Sequence, residues 1–170
     1  AGDTGKDLAE IDRMGGILTG KRVGLIGGGH MARRLIKLLR PFEVEIWVHD
    51  PYLPRELAEV LEFLQTSLDN VLSQCDAIVC LVPHTPRTEG MIGQRELNLI
   101  PSGAVLVNVS RGKVIDSEAL VARLKRGDIV AGLDVYDPDV YEEGAYGDGE
   151  ITRLDNVFLS PHIAGVTVRS

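Results

Sequence analysis

The sequence predicts an α/β fold of the Rossmann type: a doubly wound, mainly parallel sheet with helices on both faces. Short apolar runs alternate with amphipathic stretches along nearly all of the 170 residues, the pattern of strands joined by crossover helices. A glycine-rich turn, Gly27-Gly28-Gly29, follows the first apolar run and opens the first long amphipathic stretch. Three later apolar runs end in charged or ionisable residues, at Arg111, Asp137 and His162. If those runs are neighbouring parallel strands, the three side chains meet at the carboxyl edge of one sheet, where open α/β sheets bind ligands.

Element by element, residues 4–14 read as a helix, with Thr4 as its cap and Leu8, Ile11 and Met14 on one face. A glycine-bracketed link leads into a strand from Arg22 to Ile26. A helix follows over 28–40, its apolar face marked by Met31, Leu35, Ile36, Leu38 and Leu39 and its end by Pro41. Residues 44–48 alternate as a strand does. A helix near 54–62, a short strand over 63–66 and a helix over 68–74 capped by Ser67 come next. The apolar run 77–82 reads as a buried strand. A helix near 94–100, a strand over 104–109 and a helix over 117–126 with Ser117 as its cap lead to the last two strands, 129–136 and 157–160. Residues 137–150 carry many acids and little periodicity, so they read as an exposed loop. Residues 1–20 are thus an amino-terminal helix and link, and 21–170 one nucleotide-binding domain.

Composition narrows the function classes. Apolar content of 44% and charged content of 25% are ordinary for a globular chain. The net charge of −7 argues against nucleic acid and against anionic membrane surfaces as partners. No apolar stretch reaches the roughly 20 residues of a membrane span. Cys75 and Cys80 read as reduced thiols, Cys80 within a strand, which suits a cytoplasmic setting. No Cys/His cluster has metal-ligand spacing, so no metal is expected.

Gly27-x-Gly29-x-x-Ala32 has dinucleotide-binding spacing. Gly27 permits the tight turn, Gly29 lets backbone approach a pyrophosphate, and Ala32 lets the helix press on the strand. His30 and Met31 would offer backbone N–H groups to the phosphates. Glycine turns join many strands to helices, so the acid that follows matters. Asp50 stands where the second strand ends, 23 residues after Gly27, and its carboxylate can accept from ribose hydroxyls. It would repel a 2′-phosphate, which favours NAD over NADP.

Several longer motifs then resemble a known family, the NAD-dependent D-isomer-specific 2-hydroxyacid dehydrogenases. They are Leu18 to Gly24 before the glycine turn, Leu81-Val82-Pro83-His84-Thr85-Pro86, Val107-Asn108-Val109-Ser110-Arg111-Gly112, Gly132 to Pro138, and Ser160-Pro161-His162-Ile163-Ala164-Gly165. The resemblance implies that His162 is the acid/base, that Arg111 binds the substrate carboxylate, and that Asp137 is the carboxylate paired with the histidine. It implies that Asp134 holds the nicotinamide carboxamide, while Pro83, Thr88, Val109 and Ser110 lie on segments lining the cofactor. The implied partner is a small 2-hydroxy or 2-oxo acid, and the implied assembly a homodimer.

Those roles make chemical sense together. Hydride transfer is the cofactor's chemistry, so the protein must orient the acid and supply one proton. An imidazole holds or releases a proton near neutral pH, and a guanidinium matches a carboxylate bidentately. The same architecture also resembles NAD-sensing transcriptional corepressors, a second reading that predicts the same cofactor. A nucleotide-binding domain with another reaction, such as an alanine dehydrogenase, leaves the placement of Arg111, Asp137 and His162 without a purpose.

Two departures stand out. Asp137 occupies a place where the family usually has Glu, and its shorter stem predicts a weaker coupling to His162. The family also has a substrate-binding domain, for which this chain has no counterpart. The expectation is a cofactor-binding domain that binds NAD but turns over slowly or not at all by itself.

Overall fold

The computed structural model describes residues 16–135 and 150–165. The helix expected over 4–14, the acidic loop up to 149 and Asp137 lie outside the described residues.

Seven strands form one parallel sheet in the order β3-β2-β1-β4-β5-β6-β7. They are β1 (Arg22–Ile26), β2 (Glu45–His49), β3 (Leu64–Gln65), β4 (Ala77–Cys80), β5 (Val105–Asn108), β6 (Val130–Leu133) and β7 (Val157–Leu159). The helices are α1 (His30–Leu39), α2 (Arg55–Leu61), α3 (Leu68–Gln74), α4 (Gln94–Leu99) and α5 (Ser117–Lys125), with 3-10 turns at Arg40–Phe42, Gly112–Val114 and Glu150–Arg153. The Rossmann-type arrangement expected from the alternating pattern is the one found, and the strand order reverses direction between β1 and β4.

Alternation within each strand sorts two cores. Val23 and Leu25 of β1 and Ile46 and Val48 of β2 face Ala32 and Ile36 of α1. Ile26, Ile78, Cys80, Leu106, Ala131 and Leu133 face the other way, against Leu72, Leu97, Leu120 and Leu124 of α3–α5. Parallel strands buried on both faces read as continuous apolar runs, which is why the sequence displayed them so clearly. Both cysteines are free and buried, as the sequence suggested. Burial pushes the Cys75 thiol up to about 11, so it stays protonated at neutral pH.

Local chemistry explains most ends. Ser67 accepts from the Asn70 amide and caps α3, as expected. The cap of α5 is Asp116 rather than Ser117: its carboxylate accepts from the Ala119 amide at 2.7 Å, and Ser117 is already helical. The strands close earlier than the apolar runs. Strand β6 ends at Leu133 and β4 at Cys80, and the remaining apolar residues continue into loops at the carboxyl edge.

One buried cation is structural and gave no signal in the sequence. Arg123 of α5 is 3% exposed, pairs with Asp128, and donates to the carbonyls of Leu97 and Ile100. A buried charge persists only with such full pairing. It ties the end of α4 to α5 beneath the sheet.

Candidate active and cofactor site at the carboxyl edge

Because every described strand is parallel, the residues following β1, β2, β4, β5, β6 and β7 share one edge of the sheet. A cleft of about 720 Å3 opens there at the β1/β4 reversal, the place where doubly wound sheets bind nucleotides. Among its lining residues are Gly27, Gly29, Asp50, Pro83 and Thr88, all singled out in the sequence.

The glycine turn is shaped by three different demands. Gly27 has φ +100, in the left-handed region, and a Cβ there would meet the Leu81 and Val82 backbone at 3.1 Å. At Gly28 a Cβ would lie 2.0 Å from Leu53 Cδ1, so this glycine, to which the sequence reading gave no role, admits a packed leucine. Gly29 caps α1 with nothing within 4 Å of where its Cβ would be, which is open space on the ligand side. His30 and Met31 form the first turn of α1, Met31 being 64% exposed. Ala32 is buried and lets α1 approach the sheet, as expected.

Asp50 is fixed by backbone. The Gly28 amide donates to Oδ2 and the Tyr52 amide to Oδ1, each at 2.9 Å. Acceptor capacity remains on both oxygens for a ribose diol. A carboxylate so placed binds the strand end to the glycine turn as well as facing the cleft. Across the mouth, Arg87 donates to the Tyr52 hydroxyl at 2.9 Å, joining the loops after β4 and β2. The Thr88 hydroxyl donates to the Pro83 carbonyl at 2.6 Å and accepts from the Thr85 amide at 2.8 Å, so Thr88 closes its own loop.

The segments after β5, β6 and β7 carry the remaining candidates. Val109, Ser110 and Arg111 follow β5 and do not line the cleft described above. Ser110 is buried, and its hydroxyl is engaged inward with Asn108 Oδ1 at 2.8 Å and with the Cys80 thiol at 3.4 Å. Arg111 is exposed and donates to the Ser110 carbonyl at 2.7 Å. Asn108, to which the sequence reading gave no role, organises this stretch. It is 1% exposed, donates to the Arg111 carbonyl, and accepts from both the amide and the hydroxyl of Ser110. A buried side-chain amide bonded through both its oxygen and its nitrogen specifies one loop geometry. The signal was available: an asparagine inside an apolar run needs a reason.

His162 is exposed on the loop after β7, with φ +54. A left-handed conformation in a non-glycine residue costs of order 1–3 kcal/mol and persists only where neighbours enforce it. The neighbours are explicit. Asp134 is 4% exposed, and its carboxylate accepts from the Ser160 hydroxyl, the Ile163 amide at 2.9 Å and the Ala164 amide at 3.0 Å. Burial alone would push the Asp134 carboxyl up; these donors and the nearby His162 outweigh it and hold it below the ordinary carboxylate value.

The structure thus brings Gly27, Gly29, Asp50, Pro83 and Thr88 to one cleft, and sets Ser110–Arg111 and His162 beside it on the same edge. The glycine turn, the open space at Gly29 and the Asp50 carboxylate are a donor and acceptor set suited to a dinucleotide. Among the described residues, no group of three or more His, Cys, Asp or Glu side chains could hold a metal ion, and no helix is long and apolar enough to cross a membrane.

Comparison with known proteins agrees with this geometry. The family model for the D-isomer specific 2-hydroxyacid dehydrogenase, NAD binding domain, matches residues 4–164. The chain is 40% identical over 149 residues to the glyoxylate reductase of Thermococcus gammatolerans, covering 87% of this chain and 43% of that protein. It is 34% identical over 155 residues to the D-3-phosphoglycerate dehydrogenase of Archaeoglobus fulgidus, covering 91% and 29%. Among solved structures, apo Rhodotorula graminis D-mandelate dehydrogenase superposes with a TM-score of 0.81 at 26% identity, over 94% of this chain and 46% of that one. The NAD-complexed D-isomer specific 2-hydroxyacid dehydrogenase of Lactobacillus delbrueckii ssp. bulgaricus gives 0.81 at 28%, over 92% and 50%. The chain spans half or less of the length of each of these relatives.

Proposed function

Since the chain belongs to the D-isomer specific 2-hydroxyacid dehydrogenase family as its NAD-binding domain, we propose that the protein of which it forms part interconverts a 2-hydroxy acid and its 2-oxo acid with NAD(H). The observation that carries this reading is one sheet edge bearing both halves of the requirement. The β1/β4 cleft with Gly29 and Asp50 suits the dinucleotide, and the adjacent β5 and β7 loops present Arg111 and His162. The oxidoreductase names of the relatives favour a dehydrogenase over a corepressor.

When bound, the nicotinamide supplies or accepts the hydride. The rest falls to this chain's residues. Backbone N–H groups at the start of α1 and the Asp50 carboxylate hold the dinucleotide by its pyrophosphate and adenosine ribose. Arg111 binds the carboxylate of the acid through its guanidinium, which fixes the neighbouring carbonyl. His162 gives a proton to that carbonyl oxygen in reduction and takes it from the hydroxyl in oxidation. Asp137, in the place of the family's glutamate, supports the imidazolium form with a weaker coupling than a longer carboxylate would give.

We assign the wall opposing this edge to the part of the relatives' length that this chain does not span. Residues 21–170 therefore act as the cofactor half of a closed site, and water exclusion and substrate positioning need the other half. The 170-residue chain binds NADH with little or no turnover. We place the protein in the cytoplasm and assign it a homodimeric state, which light scattering tests.

Calorimetric titration of the chain with NADH and NADPH is the deciding experiment. Saturable NADH binding, preferred over NADPH and lost in Asp50→Ala, is the expected result. Absence of binding by either cofactor overturns the reading, and robust turnover of any 2-oxo acid by the chain alone overturns the division of labour.

A further inference from the structure

Three of the four buried polar residues among those described, Asn108, Ser110 and Asp134, sit beneath the loops that carry Arg111 and His162. The fourth, Arg123, is used up in joining α4 to α5. Asp134 is the one whose partners converge on a single site loop. Its Oδ1 accepts from the Ser160 hydroxyl and the Ile163 amide and its Oδ2 from the Ala164 amide, so its donors flank His162 in sequence on both sides.

The turn is held at three further points. The Ser160 amide donates to the Leu133 carbonyl at 3.0 Å, extending the β6–β7 pairing by one step. The His162 amide donates to the Ser160 carbonyl at 3.0 Å around Pro161. The Asp134 amide donates to the Asn108 carbonyl at 3.0 Å, so the base of the carboxylate is anchored to the end of the neighbouring strand β5. Between these anchors His162 takes its positive φ. Backbone of that kind unwinds to an extended form unless something on each side opposes it.

We propose that Asp134 is the positioning residue of His162: its carboxylate gathers the Ser160 hydroxyl and the Ile163 and Ala164 amides and so holds the 160–164 turn in the conformation that presents the imidazole at the sheet edge. The inference rests on the reading of His162 as the proton-transferring residue. It assigns Asp134 a task in the protein before any ligand arrives. An ionised acceptor suits it, because charge-assisted bonds to backbone amides are shorter and stronger than neutral ones. An asparagine of the same shape can accept on one oxygen only, so it cannot gather all three donors.

The test uses the isotopically labelled 170-residue chain and reads the turn and the ring separately. In the wild-type chain the Ile163 and Ala164 amides exchange at least 100-fold more slowly than free peptide amides. In Asp134→Asn that protection falls at least tenfold at both positions, and the His162 ring signals move. The ring signals of His30, His49 and His84 and the amides of Leu106 and Ala131 stay in place, which shows that the sheet is intact. Protection retained at both amides, or His162 ring signals unmoved after the protection is lost, overturns the proposal. Should Asp134→Asn fail to fold, Ser160→Ala removes one donor, and a His162 shift of smaller size in the same direction is expected; no shift overturns it. NADH titrated into Asp134→Asn is the third arm. Binding weakened with the turn unchanged assigns Asp134 to the cofactor instead and overturns the proposal. Failure of the wild-type chain to bind NADH sinks the functional reading and leaves the exchange result standing.

Discussion

The Asp134 amide donates to the Asn108 carbonyl across β6 and β5 at 3.0 Å. The two buried polar residues that brace the Arg111 and His162 loops are therefore joined to each other. Asn108 grips Ser110 and the Arg111 carbonyl on one side; Asp134 grips Ser160, Ile163 and Ala164 on the other. The site side chains stand on loops, but their loops stand on one connected polar strut in an otherwise apolar sheet.

Asn108→Ala removes that strut at β5. It strands the Ser110 amide in a nearly dry place, and leaves the Ser110 hydroxyl with only the Cys80 thiol and the Arg111 carbonyl with only the Val114 amide. Stranding buried polar groups costs about 1–3 kcal/mol, and denaturant unfolding should show a loss of that size. Asn108→Asp keeps the acceptor but sets a carboxylate oxygen against the Arg111 carbonyl in the same dry place, so its loss is at least as large. Equal stability of Asn108→Ala and the wild-type chain would show that water replaces the amide at no cost.

The glycine turn separates folding from binding at adjacent positions. Gly29→Ala meets open space at φ −69, so stability should stay within about 0.5 kcal/mol of wild type. The added methyl stands on the ligand side, and NADH affinity should fall at least about tenfold, or roughly 1.4 kcal/mol. Gly28→Ala instead drives a methyl into Leu53 and costs about 1–3 kcal/mol of stability. Pairing it with Leu53→Ala should recover part of that loss. A Gly29→Ala variant with unchanged NADH affinity would place the pyrophosphate elsewhere.

Asp128 gives a pH dependence with a definite sign. The Arg123 guanidinium first, and the Ser102 hydroxyl next, hold its carboxyl down at about 2, against an ordinary value of 3.8. The unfolded chain thus takes up the proton first as pH falls. The stabilisation is complete above about pH 4 and drains away as pH drops toward 2. Urea midpoints measured across that interval should fall more steeply for the wild-type chain than for Asp128→Asn. Parallel curves for the two would remove Asp128 from the account.

Much of this was legible in the sequence because parallel strands buried on two faces announce themselves as apolar runs, and because one glycine turn and one acid mark where they are read out. Gly27, Gly29, Asp50, Pro83 and Thr88 accordingly lie at one cleft. What was not legible is what a side chain does at short range. Nothing in a string of letters says that Thr88 bonds to Pro83, that the Ser110 hydroxyl turns inward, or that Gly28 makes room for Leu53. The Asp116 cap escaped for a related reason. Two adjacent polar residues are equally good caps by type, and only the backbone, extended at Asp116 and helical at Ser117, chooses between them.

Cofactor choice turns on Asp50. Its carboxylate is held at the β2 end by the Gly28 and Tyr52 amides, so it cannot swing away from an incoming 2′-phosphate. Two like charges a few ångströms apart in a half-buried cleft repel by up to about 4 kcal/mol. Asp50→Asn removes the charge while keeping one acceptor for the two amides. The expected outcome is a rise of at least about tenfold in the NADPH-to-NADH affinity ratio, roughly 1.4 kcal/mol, chiefly through better NADPH binding. Competition titrations of the variant and the wild-type chain measure the ratio directly. If the ratio stays where it was, the discrimination lies in the shape of the cleft near Tyr52 and Arg87 and not in the charge of Asp50.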